Sequence, residues 1–223
     1  MTPSRSRGFT LLEVLGALAL LALLLVGVYS GVRTATHAVR SGEAAIGRMD
    51  QVRSAQQFLR TELAQARAVP LSRTDKGDPV FFTGDAHEMR FVAPLPGYLG
   101  KLGPQLQQLK LVSNGRGTSR LEASFALMPP DGSAPHALGE PEVLVDGIRE
   151  GSFSYRAPDT QEKPGDWGDK WDATRVMPRI VRIALTLDGN SAWPELDAPL
   201  RVDPTAVQGQ VDLLQGLQRR TTP

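Results

Sequence analysis

Three sets of side chains in this sequence have types and spacings that could support chemistry. The first is Glu13, the single charge in an apolar run from Phe9 to Val32 that begins directly after Arg7-Gly8. A charge at the centre of a bilayer costs about 2.5–3.5 kcal/mol on insertion scales and less near an interface. Glu13 lies about one helical turn inside the run, so two readings follow. In one, it is a tolerated interfacial charge, slightly favoured by the positive end of the helix dipole. In the other, a cut between Gly8 and Phe9 would place a new α-amine one turn before Glu13. Amine and carboxylate could then neutralise each other within one chain or across neighbouring chains. The second set is Asp166, Asp169 and Asp172 in "GDWGDKWD", a candidate calcium site in an exported protein. Their spacing does not match the alternate-residue ligands of an EF-hand loop, and the expectation is a solvated acidic turn around Trp167 and Trp171. Those two tryptophans form either a partner surface, where tryptophan is favoured, or packing against the strand that starts at Ile180. The third set, His37, His87 and His136, lies in unrelated segments without metal-ligand spacing. There is no nucleophile-elbow serine and no phosphate-cradling glycine loop. Catalysis therefore has no candidate residues, and neither a metal nor another cofactor is expected.

The elements that must carry these residues begin with the apolar run. Its roughly 24 residues, rising about 1.5 Å each in a helix, reach about 36 Å, enough for a hydrocarbon core of about 30 Å. A secretory signal peptide has a shorter apolar stretch followed by a small-residue cleavage site, whereas Ala17-Leu18-Ala19 sits inside this run. Arg5 and Arg7 precede it without an acidic neighbour, so the positive-inside rule places the N-terminus in the cytoplasm and everything after Val32 outside it. Gly27 and Gly31 form a small-xxx-small pair of the kind that lets membrane helices approach closely.

Helical spacing continues past the membrane. Met49, Val52, Leu59, Leu63 and Ala66 recur at helical steps, with Arg48, Arg53, Arg60, Glu62 and Arg67 between them as the polar positions. This stripe packs either on another subunit or on the chain's own sheet. Gly31, Gly42 and Gly47 predict a bend or fraying between Ser30 and Gly47, and Pro70 ends the helix. Beyond it, Pro and Gly turns separate short strand-like runs. These are Phe81–Phe82, Met89–Val92, Leu106–Val112, Leu121–Leu127, Val143–Val145, Gly151–Tyr155 and Ile180–Leu187, the last with clear alternation. The chain has 25 basic and 24 acidic residues and no cysteine. Its balanced charge gives no field to attract nucleic acid, and the lack of thiols excludes disulfides, thiolate metal sites and a lipoprotein anchor.

Arg7-Gly8-Phe9-Thr10-Leu11-Leu12-Glu13 resembles the processing motif of type IV pilins and pseudopilins. The resemblance implies that a membrane prepilin peptidase cuts after Gly8, that the new N-terminal Phe9 is methylated, and that Glu13 registers subunits during assembly. Many major pilins carry a proline about two-thirds along the apolar segment; this chain has none there, which points to a minor subunit. The stretch from Leu144 to Leu187 is similar to the J-type minor pseudopilin of type II secretion. It has a strand ending in Phe153 and Tyr155, an acidic turn, the two tryptophans, and Met177-Pro178 leading into a Val/Ile/Leu strand. Chain length agrees, since H and I types are usually shorter and the K type is longer and typically lacks the glutamate.

The fold class implied is α+β and type IV pilin-like, a long N-terminal helix packed on an antiparallel β-rich domain, with a curved sheet or two sheets laid around the stem. The expected organisation is a leader at 1–8, a transmembrane helix at 9–32, an amphipathic stem helix at 33–69, a β-rich periplasmic domain at 70–205 and a polar tail at 206–223. The implied role is a non-enzymatic subunit of the pseudopilus tip, anchored in the bacterial inner membrane with its C-terminal domain in the periplasm. Implied partners are the I, K and H types, the major pseudopilin, the prepilin peptidase and secreted substrates. A minor pilin of a type IV pilus or DNA-uptake machine is the alternative, and a membrane-anchored periplasmic enzyme is a rival of another class.

Overall fold

The apolar positions of the first third of the chain fall on one helix, α1 (Leu11–Ala64), in a computed structural model that describes residues 10–94, 103–115, 117–129, 133–157, 165–189 and 191–201. The leader, Phe9 and the tail at 206–223 lie outside the described residues. The chain divides into two compact units, with the boundary between Arg48 and Met49.

In the first unit α1 is long and apolar enough to cross a membrane. The fraying expected between Ser30 and Gly47 does not occur: helix continues through Gly31, Gly42 and Gly47. An isolated glycine costs a helix about 1 kcal/mol, a local penalty that leaves the i to i−4 ladder intact, and no proline interrupts it. Thr34 and Thr36 donate their hydroxyls to the carbonyls of Ser30 and Val32 at 3.0 and 2.8 Å, sharing those acceptors with the backbone ladder.

In the second unit the apolar stripe turns inward. Val52, Ala55, Leu59 and Leu63 are buried on α1, and Ala66 just past its end. Of the two fates open to the stripe, it packs on the chain's own sheet; Met49 alone stays out, 61% exposed. The helix ends at Ala64 rather than running to residue 69. There the Arg67 N–H is captured by the Val92 carbonyl at 2.7 Å, pairing the exit segment with a strand before Pro70 is reached.

Eleven strands follow among the described residues: β1 (Ser72–Arg73), β2 (Pro79–Val80), β3 (Thr83–Gly84), β4 (Glu88–Pro94), β5 (Pro104–Ser113), β6 (Ser119–Leu127), β7 (His136–Ala137), β8 (Glu142–Arg156), β9 (Trp167–Gly168), β10 (Ile180–Leu187) and β11 (Leu196–Pro199). Apart from the β1–β2 pair they form one antiparallel sheet in the order β11-β10-β8-β6-β5-β4-β3, with β7 beside β6 and β9 beside β8. The runs read as separate strands at Val143–Val145 and Gly151–Tyr155 are one 15-residue strand, β8. Its first half pairs with β6, from Ala123↔Glu142 to Ser119↔Ile148. Its second half pairs with β10, from Leu187↔Ile148 to Ile180↔Arg156. Between them Gly147, with φ of 64°, takes the left-handed conformation while the strand continues through it. Phe81 and Phe82 form no strand of their own. They connect β2 to β3 with both rings buried, and Phe82 stacks on Phe91 and meets Tyr155 edge-on.

The sheet curls until its β3 edge meets the segment that follows β9. Gly84 on the β3 edge exchanges both backbone hydrogen bonds with Trp171, and the Tyr155 hydroxyl donates to the Asp85 carbonyl at 2.7 Å. Burial and the nearby carboxylates of Asp85 and Glu88 push the Tyr155 phenol up, so it stays a donor. A Cβ at Gly84 would run into this phenol. The other edge, β11, is closed by the helix: Gln56 donates to the Pro194 carbonyl at 2.6 Å and Arg60 to the Asp197 carbonyl at 3.4 Å.

One member of the expected polar face of the stem is buried. Glu62 is 1% exposed and accepts a 2.5 Å hydrogen bond from Gln107 Nε2 on β5. Burial raises its pKa, with the Gln107 bond partly opposing. Protonation is therefore favoured by folding. The stability Glu62 contributes is fully present below the ordinary carboxylate value of 4.5 and is lost as pH rises through the raised value. Glu62→Gln should flatten this dependence and stabilise the detergent-solubilised protein at pH 8 by on the order of 1 kcal/mol, read as thermal unfolding at pH 5 and 8. Gly84→Ala should destabilise by about 1–3 kcal/mol through overpacking on Tyr155, in the same assay.

Candidate functional site

The N-terminal site is built by the first turn of α1. Thr10 precedes the helix, and its hydroxyl and carbonyl accept the Glu13 N–H at 3.3 and 3.0 Å. Thr10 is thus the N-cap and Glu13 the third helical residue. Thr-x-x-Glu is the spacing of a capping box, a signal in the sequence that the reading of Glu13 as a charge alone passed over. The carboxylate is exposed on the first turn, where the helix dipole favours an anion and where it can accept from donors gathered at that end. Gly8 and Phe9, the expected cleavage and methylation residues, lie outside the described residues.

The two tryptophans treated together in the sequence are separated by the fold. Trp171 is 9% exposed; its backbone bridges Gly84 and its indole N–H donates to the Val176 carbonyl at 3.3 Å. It is a core residue and offers little to a partner. Trp167 on β9 is 39% exposed. The Arg182 guanidinium lies 4.4 Å from its ring centroid and that of Arg156 lies 6.0 Å away, within cation–π range. Arg182 is held in place by a bidentate pair of 2.8 Å bonds to Asp197, and this hydrogen-bonded guanidinium holds the Asp197 carboxyl below the usual carboxylate range. Since Arg182 belongs to β10, Trp167 also meets the expectation of contact with the strand from Ile180. The third tryptophan, Trp193, which the sequence reading did not single out, is 8% exposed and donates to the Ile183 carbonyl at 3.1 Å.

In the acidic turn, Asp172 pairs with Lys170 at 2.9 Å, and the lysine lowers its pKa. Among the described residues no group of three or more histidine, aspartate or glutamate side chains is placed to hold a metal ion. His37 sits on α1, His87 in the β3–β4 turn and His136 on β7.

A capped apolar helix with a first-turn carboxylate, continuing into an antiparallel domain, defines a pilin-like protein. The family model of the prokaryotic N-terminal methylation motif matches residues 3–29. The model of type II secretion system protein J matches residues 28–196. A relative described as type II secretion system protein J, from Xanthomonas campestris pv. campestris, is 33% identical over 196 residues, covering 85% of this chain and 90% of its own length. The chain belongs to the type II secretion system protein J family and is a minor pseudopilin of that system.

The different burial of the tryptophans predicts a fluorescence outcome. Acrylamide quenching of the intact protein should be carried mainly by Trp167. Trp167→Phe should remove the larger share of the quenchable emission, whereas Trp171→Phe should leave that share in place and lower the unfolding temperature.

Proposed function

We propose that this chain works at the tip of the pseudopilus, where it joins the I- and K-type subunits, with the H type and the major pseudopilin as further partners, and primes fibre assembly for export of folded proteins. Its role is structural rather than enzymatic. Secreted substrates are candidate contacts, and the exposed Trp167 held by Arg182 is the candidate partner surface, Trp171 having moved to the core. In this reading the N-terminus faces the cytoplasm and the sheet domain lies in the periplasm. The prepilin peptidase cuts between Gly8 and Phe9, and Phe9 is methylated.

The observation that carries the reading is Glu13 on the first turn of an apolar helix, capped by Thr10. After cleavage the Phe9 amine would directly precede that cap. A carboxylate and an amine at the membrane surface neutralise each other at far lower cost than either does alone. If the amine comes from a neighbouring subunit, the same pairing sets the step between subunits.

Intact-mass measurement of the membrane-extracted protein should show loss of residues 1–8 and gain of one methyl group; a retained Met1 end would overturn the reading. Glu13→Leu should insert and be processed normally yet lower secretion roughly tenfold or more, the effect of losing about 1.4 kcal/mol of pairing. Secretion at the wild-type level would count against a role for Glu13 in assembly.

A further inference from the structure

Where α1 meets β5, one polar atom is left over. Gln107 is 1% exposed, and its Nε2 donates to Glu62 at 2.5 Å. Its carbonyl oxygen is also buried and has no donor among the described residues. An interior acceptor without a partner is costly, and native structures rarely leave one. Across the sheet Gln107 lies between Phe91 on β4 and Phe125 on β6, and Phe58 on α1 meets Phe125 edge-on. None of these side chains can donate. The charged residues of the three strands do not supply the bond either. Glu88, Arg90 and Lys110 form one ion-paired group and Arg120 with Glu122 another. They alternate with the buried positions and so face away from α1. On the helix side, Arg60 turns to the Asp197 carbonyl, while Arg53 and, past the helix end, Arg67 are exposed.

We propose that Glu62 supplies the donor: it keeps its proton in the folded domain and gives it to Gln107 Oε1 while accepting from Nε2, a neutral acid–amide ring that latches α1 to β5 and opens when the proton leaves. A protonated carboxyl presents one donor and one acceptor, the same fork that a primary amide presents in reverse. A carboxylate in the same place has acceptors only. It keeps the Nε2 bond, sets its second oxygen against the Gln107 carbonyl, and is a charge without a counter-ion among apolar rings. Burial, the largest cause of the raised Glu62 pKa, acts in the same direction. Transfer of the proton to a base in solvent therefore drives the carboxylate toward water, and the last turn of α1 lifts from β5 to let it out. The latch sits two residues before the helix ends at Ala64. That end can move while Ala55, buried two turns earlier, keeps its seat. The device closes toward acid and opens toward alkali.

The test uses the full chain in detergent. At pH 7 its infrared spectrum should contain the carbonyl band of a protonated carboxylic acid, and Glu62→Gln should remove that band. An amide at this position makes the same two bonds to Gln107, so the variant should fold and stay latched as pH rises. The chain has no cysteine, which makes an introduced thiol the single labelling site. Ala66→Cys places one at a buried position one turn beyond Glu62. Its reaction with a maleimide should be equal in the wild-type and Glu62→Gln backgrounds at pH 5. At pH 8 it should run several-fold faster in the wild-type background; comparing backgrounds at one pH cancels the ionisation of the thiol itself. Ala55→Cys should react equally in the two backgrounds at both pH values. Absence of the band at pH 7, equal labelling at position 66 at pH 8, a difference as large at position 55, or a Glu62→Gln chain that does not fold would overturn the proposal.

Discussion

The burial of one helical stripe against the sheet is the contact on which the sheet domain depends. Leu59 and Leu63 are fully buried, and removing either side chain would cost about 2–5 kcal/mol, a large share of the net stability of an ordinary domain. Few other elements could replace them, because the same stretch of helix also supplies Glu62 to Gln107 and closes the β11 edge through Gln56 and Arg60. A stripe that makes its own core cannot also be a seam for neighbours. Burial of the stripe begins at Val52, and Met49 before it stays exposed.

The sheet that receives the stripe owes its curl to β8. Half of that strand belongs with β6 and half with β10, so neither half-sheet is complete without it. The curl then brings β3 to Trp171, and Gly84 permits an approach that any larger residue would block. Tyr155 occupies the junction, its ring against Phe82 and its hydroxyl on the Asp85 carbonyl. Closure of this kind leaves little open edge, and the short β11 protects its own with Pro199, which has no N–H to offer.

Where one physical signal dominated, the sequence was legible. Alternation along Ile180–Leu187 marks the strand from its first to its last residue, and a charge in an apolar run drew attention to Glu13. Misreadings arose where a local preference met a larger context. Glycine weakens a helix by a fixed local amount, and Gly42 and Gly47 were too isolated to break α1. Val143–Val145 and Gly151–Tyr155 read as two strands but are one, β8, held by neighbours on both sides. Trp167 and Trp171 are four residues apart and chemically the same, and only the closure at Gly84 sends one inward. Glu62 looked like part of a solvated face because nothing in its neighbourhood along the chain announces Gln107, 45 residues away. The Thr10-x-x-Glu13 box could have been read directly, since its signal is wholly local.

The clasp on β11 has a consequence for the timing of folding. Arg60 reaches the Asp197 carbonyl across 137 residues, so the first segment of the domain to be synthesised closes on the last strand among the described residues. Chains emerge from the N-terminus onward, and contacts of such long sequence separation form slowly. Until β11 arrives, Val52, Leu59 and Leu63 have only part of their cover, and an apolar stripe waits exposed beside an unfinished sheet. The domain's vulnerable interval therefore spans nearly the whole delivery of its chain and ends with one four-residue strand.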